Sequence, residues 1–362
     1  MRVYQSKLPT KDEDRTIILP FEHGTMIAIF DGHHSNELAE FASQHLPQMV
    51  ANCFDLTDQN LDESIVEIFR TFDQSLVEPI YALFPPDEDW TGPEWEDPGN
   101  VHEVIGYGQD DPQFKQGRLA IVGTTVLIGI IDKKKESLWV VSLGDSYAVC
   151  GRMENERMVP IVISDNHNGH NDKEIKRIHD EHPGEENIVR YDRVLGYLAV
   201  TRALGNHQLK VQSQPLARRI MPYFYPSPVC TDTFEACDHN GHHTPPYMSS
   251  TPTIHRYDLL PGDVLVFASD GLADSMYYHV AREDRWDVIM SLVSGEDDER
   301  LGWKAIRPEG PTNIAELLIK NTLFGVNAEK MAEELADPGR DDVSVVVVDL
   351  ATSHSSTRLL SS

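Results

Sequence analysis

With 362 residues, a hydrophobic fraction of 40% and a formal net charge of −28, the chain can build a sizeable core, and its acidity excludes a nucleic-acid backbone as partner. Four cysteines, Cys53, Cys150, Cys230 and Cys237, are too few and too scattered for a disulfide scaffold, so a reduced, intracellular setting is expected. No apolar stretch approaches the ~18 residues of a membrane span, and residues 1–15 form neither a signal core nor an Arg-rich amphipathic presequence.

In chain order, the apolar run 25–30 ends in Asp31-Gly32-His33. A helix is predicted over 36–54, with Leu38, Phe41, Ala42, Leu46, Met49 and Cys53 on one stripe, and a second over 62–84 through Ile65, Phe69, Phe72, Leu76 and Ile80. Pro47 and Pro79 are expected to kink them. Residues 85–116, rich in acid, Pro and Gly, read as a surface insertion: a solvated loop, or, because exposed Trp90 and Trp95 would be unusual, a lid or partner-docking segment. Strands over 123–131 and 138–143 join through the charged turn 132–136, and the second delivers Asp145. A short polar helix over 171–182 is capped by Asn171 and stopped by Pro183.

Residues 207–255 are Pro-, Ser- and His-rich and irregular, and they carry the Arg218-Arg219 pair with Tyr223 and Tyr225. The spacing of Cys230, Cys237, His239, His242 and His243 fits no paired Cys-x-x-Cys zinc pattern, so that cluster reads as loop. The run 264–268 leads into Asp270, helices follow near 282–292, 312–323 and 328–337, and the run 343–348 is preceded by Asp341 and Asp342. Residues 353–362 read as a disordered tail. One domain over 1–352, with insertions at 85–116 and 207–255, is expected.

Asp-Gly and Gly-Asp are common turn pairs, and each alone would be read as a turn. Four acidic sites bordering strongly apolar runs are a different matter. Clustered carboxylates repel one another unless cations neutralise them, so these strand ends read as a metal site, and all-oxygen ligands select Mg²⁺ or Mn²⁺ over zinc.

Glu13-Asp14-Arg15, Phe30-Asp-Gly-His33, Gly123-Thr-Thr125, Leu143-Gly-Asp-Ser146, Arg193 to Gly205, Ala268 to Asp274 and Arg340 to Val345 resemble, in order, the motifs of the metal-dependent type 2C (PPM) Ser/Thr protein phosphatases. Ser164 to Asn168, the helix after it and His243 to Tyr247 are most similar to the pyruvate dehydrogenase phosphatase branch. The resemblance implies an α+β fold, a four-layer αββα sandwich of two antiparallel sheets flanked by helices. It implies two Mn²⁺ or Mg²⁺ ions, with a third held more weakly. Asp31 would bridge two of them; Asp270 and Asp341 would complete one, the Gly32 carbonyl and Glu13 would hold the other, and Asp145 with Asp270 would take the third. Asp14 and Asp274 would orient bound waters, and a metal-bridging water would attack the phosphate monoester in line. The partner would be a phosphoprotein, with a pyruvate dehydrogenase-type substrate and a mitochondrial location suggested by the branch and a cytoplasmic one otherwise.

His33, beside these acids, is the candidate general acid for the leaving alkoxide. The family places an Arg four residues before its Glu to bind phosphate. Here that position is Pro9, which leaves Lys7 or Lys11 as the candidate replacement. His34 stands where Gly is usual, Ala273 for Trp, Asn206 for Asp and Asp342 for Asn. The competing reading is a catalytically inactive member acting as a binding module, and sequence leaves the oligomeric state open.

Overall fold

The computed structural model describes residues 1–350 except 56–58, 89, 107–109, 214, 225–243 and 309. The zinc-like Cys/His cluster, Tyr225 and the tail expected to be disordered all lie outside the described residues.

The long β-branched runs pair into two five-stranded antiparallel sheets. The first has the order β1 (Arg2–Leu8), β15 (Val343–Asp349), β14 (Val264–Ala268), β8 (Tyr147–Glu154), β9 (Arg157–Val162). The second runs β13 (Thr253–Asp258), β7 (Ser137–Leu143), β6 (Val126–Asp132), β3 (Gly24–Phe30), β2 (Arg15–Phe21). Alternation along β15 shows how they stack. Val346 and Val348 join Ile27, Ile29, Leu127, Val140, Leu265 and Phe267 in the core between the sheets, whereas Val343, Val345 and Val347 face helices. Because both faces of β15 are covered, it reads as a near-continuous apolar run interrupted by Ser344.

Helices α1 (Glu37–Cys53), α2 (Leu61–Leu83) and α4 (Pro112–Ile121) cover the outer face of the second sheet. Helices α7 (Arg285–Val293) and α8 (Ile314–Leu323) cover the first, with α9 (Ala328–Ala336) outside them. The four-layer α+β sandwich is therefore present. α1 and α2 start and end within one residue of the positions expected from their stripes, and each runs through its proline.

The expected surface insertions are where the structure departs from the sequence reading. The described residues of 85–121 include a 3-10 turn (Pro93–Glu96), α3 (Pro98–Ile105) and α4, with Asp97 and Asp111 capping the helices ahead of prolines at the first turn. Trp90 is only 4% exposed; its indole Nε1 donates to the Pro85 carbonyl at 2.8 Å, and its ring meets Phe84 and Trp95 edge-on. Leu216, Ala217, Ile220, Met221 and Phe224 of the second segment enter the same core, Tyr223 packs on His102, and Arg219 donates to the Thr91 carbonyl. Trp90, Trp95 and Tyr223 are thus packing residues and not exposed docking aromatics. Two segments about 100 residues apart complete one core, which local periodicity cannot reveal.

Candidate metal centre

At one end of the sandwich the strand ends converge. Asp31 follows β3 in the second sheet, and Asp270 follows β14 in the first, at the start of the short α6 (Asp270–Asp274). Antiparallel pairing of Ala268 with Val345 puts the end of β14 beside the start of β15, where Asp341 stands. The β6–β7 register pairs Val126 with Leu143, and the Thr125 N–H donates to the Asp31 carbonyl at 2.8 Å, which brings Asp145 to the same end. Asp31, Gly32, His33, Glu13, Asp145, Asp270, Asp274, Asp341 and Lys11 all line one cavity of about 730 Å³.

The electrostatics of this cavity are unusual. Burial, and then the neighbouring Asp270, Asp14, Asp145 and Asp341, push the Asp31 carboxyl well above the usual range. Asp270 is raised in the same way, by burial and then by Asp145, Asp341 and Asp274, and lies within hydrogen-bonding reach of Asp31. Burial lifts Asp145 to about 6, against the Asn168 amide that donates to it at 3.4 Å. Among the described residues, Asp31, Asp270 and Asp145 make no ion pair, whereas Asp341 meets Lys11 at 3.4 Å and Asp274 meets Arg285 at 3.1 Å.

The acids converge without closing into a ready-made cage: no three His, Cys, Asp or Glu side chains among the described residues enclose a common point. The chemistry of the donor set nevertheless fits hard divalent cations. It offers clustered carboxylate oxygens that repel one another, and among the described residues Asp31, Asp270 and Asp145 have no ion-pair partner. A side chain at Gly32 would put its Cβ 2.8 Å from the Glu13 carbonyl, so only glycine lets these two segments close on the cavity.

Asp14 does not line the cavity. It is buried, raised to about 6 by burial, and its Oδ2 accepts from Ser269 Oγ at 2.8 Å. Of the two lysines, Lys7 is held at the Asp12 carboxylate (2.6 Å) and the Asp14 carbonyl (2.8 Å) outside the cavity, and only Lys11 lines it.

A small sheet, β12 (Leu204–Gly205), β5 (Gly123–Thr124) and β4 (Gly32–His33), sets the position of His33. Gly123 lies between Gly205 and His33, and a Cβ there would fall 2.0 Å from His33 Nε2 and 2.2 Å from Asn206 Oδ1. That gap lets His33 Nε2–H donate to Asn206 Oδ1 at 2.8 Å. Burial, with His34 adding repulsion, pushes the His33 ring down to about 3 against that hydrogen bond, so the resting ring is neutral. His34, at a φ of 71°, stacks on Tyr197 and shares a 2.9 Å hydrogen bond with its hydroxyl.

Several residues at the cavity were given no role by the sequence. The Asp342 carboxylate accepts five backbone N–H groups, from Thr10 (2.5 Å), Lys11 (2.9 Å), Asp12 (3.2 Å), Glu13 (2.6 Å) and Asp14 (3.2 Å), and so pins the loop that presents Glu13 and Lys11. Tyr147, Asn168, Arg193, Arg282 and Arg285 also line the cavity, and the three arginines add positive charge to an otherwise acidic lining. The departures at Asp342 and Asn206 were the available signals, but nothing local named their partners.

The model of the Protein phosphatase 2C family matches residues 106–289, half of the chain. A protein phosphatase 2C homolog of Schizosaccharomyces pombe is 28% identical over 271 residues, covering 68% of this chain and 58% of that protein. The human mitochondrial [pyruvate dehydrogenase [acetyl-transferring]]-phosphatase 1 is 27% identical over 266 residues, covering 64% of this chain and 48% of that protein. The chain therefore spans about half the length of the curated relatives it matches. A solved structure of a C. elegans sex determining protein superposes with a TM-score of 0.57 at 16% identity, covering 100% of this chain and 67% of that one, and shares the fold. No helix among the described residues is long and apolar enough to cross a membrane. With the sandwich, the motif order and the family match in agreement, the chain belongs to the protein phosphatase 2C family, with likeness to its pyruvate dehydrogenase phosphatase branch.

Proposed function

We propose that the chain is a Mn²⁺- or Mg²⁺-dependent phosphatase of phosphoserine and phosphothreonine in proteins, with residues 1–350 working as one catalytic unit. The observation that carries this is the set of acids, half-buried Asp31 and Asp270 and buried Asp145, that converge from both sheets with no cation paired to them among the described residues. Asp31, the Gly32 carbonyl, Glu13, Asp270 and Asp341 would hold two ions. When bound, such ions supply positive charge to the phosphoryl oxygens and lower the pKa of an attacking water.

The remaining chemistry belongs to the chain's residues. His33 is the proposed proton donor to the leaving alkoxide. A dianionic phosphate brought beside the ring favours its charged form, while Asn206 keeps Nε2–H in place, so protonation is coupled to substrate arrival. Lys11, which lines the cavity and pairs with the exposed Asp341, is the better placed of the two lysines to meet a phosphate oxygen. Asp342 keeps Lys11 and Glu13 in register through its amide contacts.

An inactive binding module is the rival reading, but nothing in an inactive module requires so many clustered acids without an ion pair. A relative named for pyruvate dehydrogenase makes a phosphorylated subunit of that enzyme the first protein substrate to try, and a mitochondrial location the first to check. The test is hydrolysis of an aryl phosphate and a phosphoserine peptide with Mn²⁺, with Mg²⁺ and with chelator. Turnover of both with either metal and none with chelator is expected. No turnover with any metal would establish the binding module, and metal-independent turnover would sink the mechanism.

A further inference from the structure

The acids of the cavity fall into two groups. Among the described residues Asp31, Asp270 and Asp145 have no cation paired to them, but Asp274 does: the Arg285 Nη1 donates to its Oδ1 at 3.1 Å. Arg285, at the start of α7, is 7% exposed, and its guanidinium lies over the Tyr277 ring at 5.7 Å. Arg282, three residues earlier, lines the same side of the cavity beside Tyr147. A guanidinium stays charged across the physiological range, and its planar fork is fixed here by a carboxylate and a ring.

We propose that Arg285 is a built-in cation that closes the Asp145–Asp274 side of the cavity to a third divalent ion, so that the centre holds two. A third ion would need several oxygen ligands on that side, and one Asp274 oxygen is already a hydrogen-bond acceptor of Arg285. The ion would also sit close to a fixed positive charge on Arg285 and a second on Arg282. Arg285 thus gives that side a charge compensation that does not vary with metal concentration, while the other side depends on bound ions. The donor set fits two ions and does not fit a third, which departs from the third ion expected for Asp145 with Asp270.

This inference rests on the two-ion reading above, and the two fail differently. Mn²⁺ is counted by native mass spectrometry on the whole chain at saturating metal, for wild type, Arg285→Gln and Arg285→Lys. Wild type should bind two ions, Arg285→Gln should gain a weaker third, and Arg285→Lys, which keeps the charge, should stay at two. Three ions on wild type overturn the inference, a result that needs no variant to fold. A folded Arg285→Gln that stays at two overturns it as well. No ions on wild type overturns the metal-dependent reading instead.

Discussion

Two aspartates, Asp73 buried and Asp31 half-buried, show how differently this fold treats the same side chain. Asp73, within α2, accepts from Lys210 Nζ at 2.8 and 3.0 Å and from the Gly205 N–H at 2.8 Å. Burial alone would raise its carboxyl, but Lys210 and His207 hold it well below the ordinary range. Asp31, on the cavity floor, is raised by burial and by acids alone among its strongest neighbours. Asp73 is a finished ion pair that ties α2 to the segment after β12. Asp31 is unpaired among the described residues, and the proposed cation would supply what it lacks. On that reading the apo fold stores repulsion in the cavity, which a bound cation would convert into binding energy.

The comparison breaks most visibly at Asp73. Removing one partner of a buried pair leaves the other uncompensated, so Asp73→Ala should cost about 3–5 kcal/mol in urea unfolding. An Asp73→Leu/Lys210→Met double variant should recover much of that loss. A loss below about 1 kcal/mol for the single variant would mean the pair contributes little beyond filling space.

A smaller effect sharpens the same contrast. Glu174 on α5 (Asp172–Glu181) is buried and would be raised by that, but Arg202 (2.6 Å) and Arg177 (2.9 Å) hold it at about 2, below its ordinary 4.5. A depressed carboxyl contributes stability that is present above the unfolded value and lost as pH falls through the folded one. Glu174→Gln should therefore cost about 1–2 kcal/mol at neutral pH, and the gap to wild type should close between pH 4.5 and 2. A gap constant across that window would remove the ion network from the account.

Much of this was legible in sequence. β15 and the stripes of α1 and α2 are periodic over their own length, and Asp31, Asp270 and Asp145 each sit where an apolar run stops, so strand geometry alone predicts that they gather. The core joining Phe84 and Trp90 to Ile220 and Phe224 was not legible, because its halves are distant in the chain and its acids, Asp97 and Asp111, serve as helix caps within a composition that imitates a loop. Asp342 was noticed only as an odd residue. Its five amide donors come from a segment more than 320 residues away, and no local pattern carries that contact.

Among the described residues Asp31 and Asp270 have no cation of the protein paired with them, and on the proposed reading they await one from solvent. Thermal unfolding of wild type and Asp270→Asn, each with chelator and with excess Mn²⁺, tests it most directly. Replacing one repelling charge with a near-isosteric amide should make apo Asp270→Asn unfold at a higher temperature than apo wild type, while Mn²⁺ should stabilise wild type strongly and the variant much less. If apo Asp270→Asn is instead the less stable protein, and Mn²⁺ raises both by the same amount, Asp270 is a structural acid and the cavity is not a metal centre.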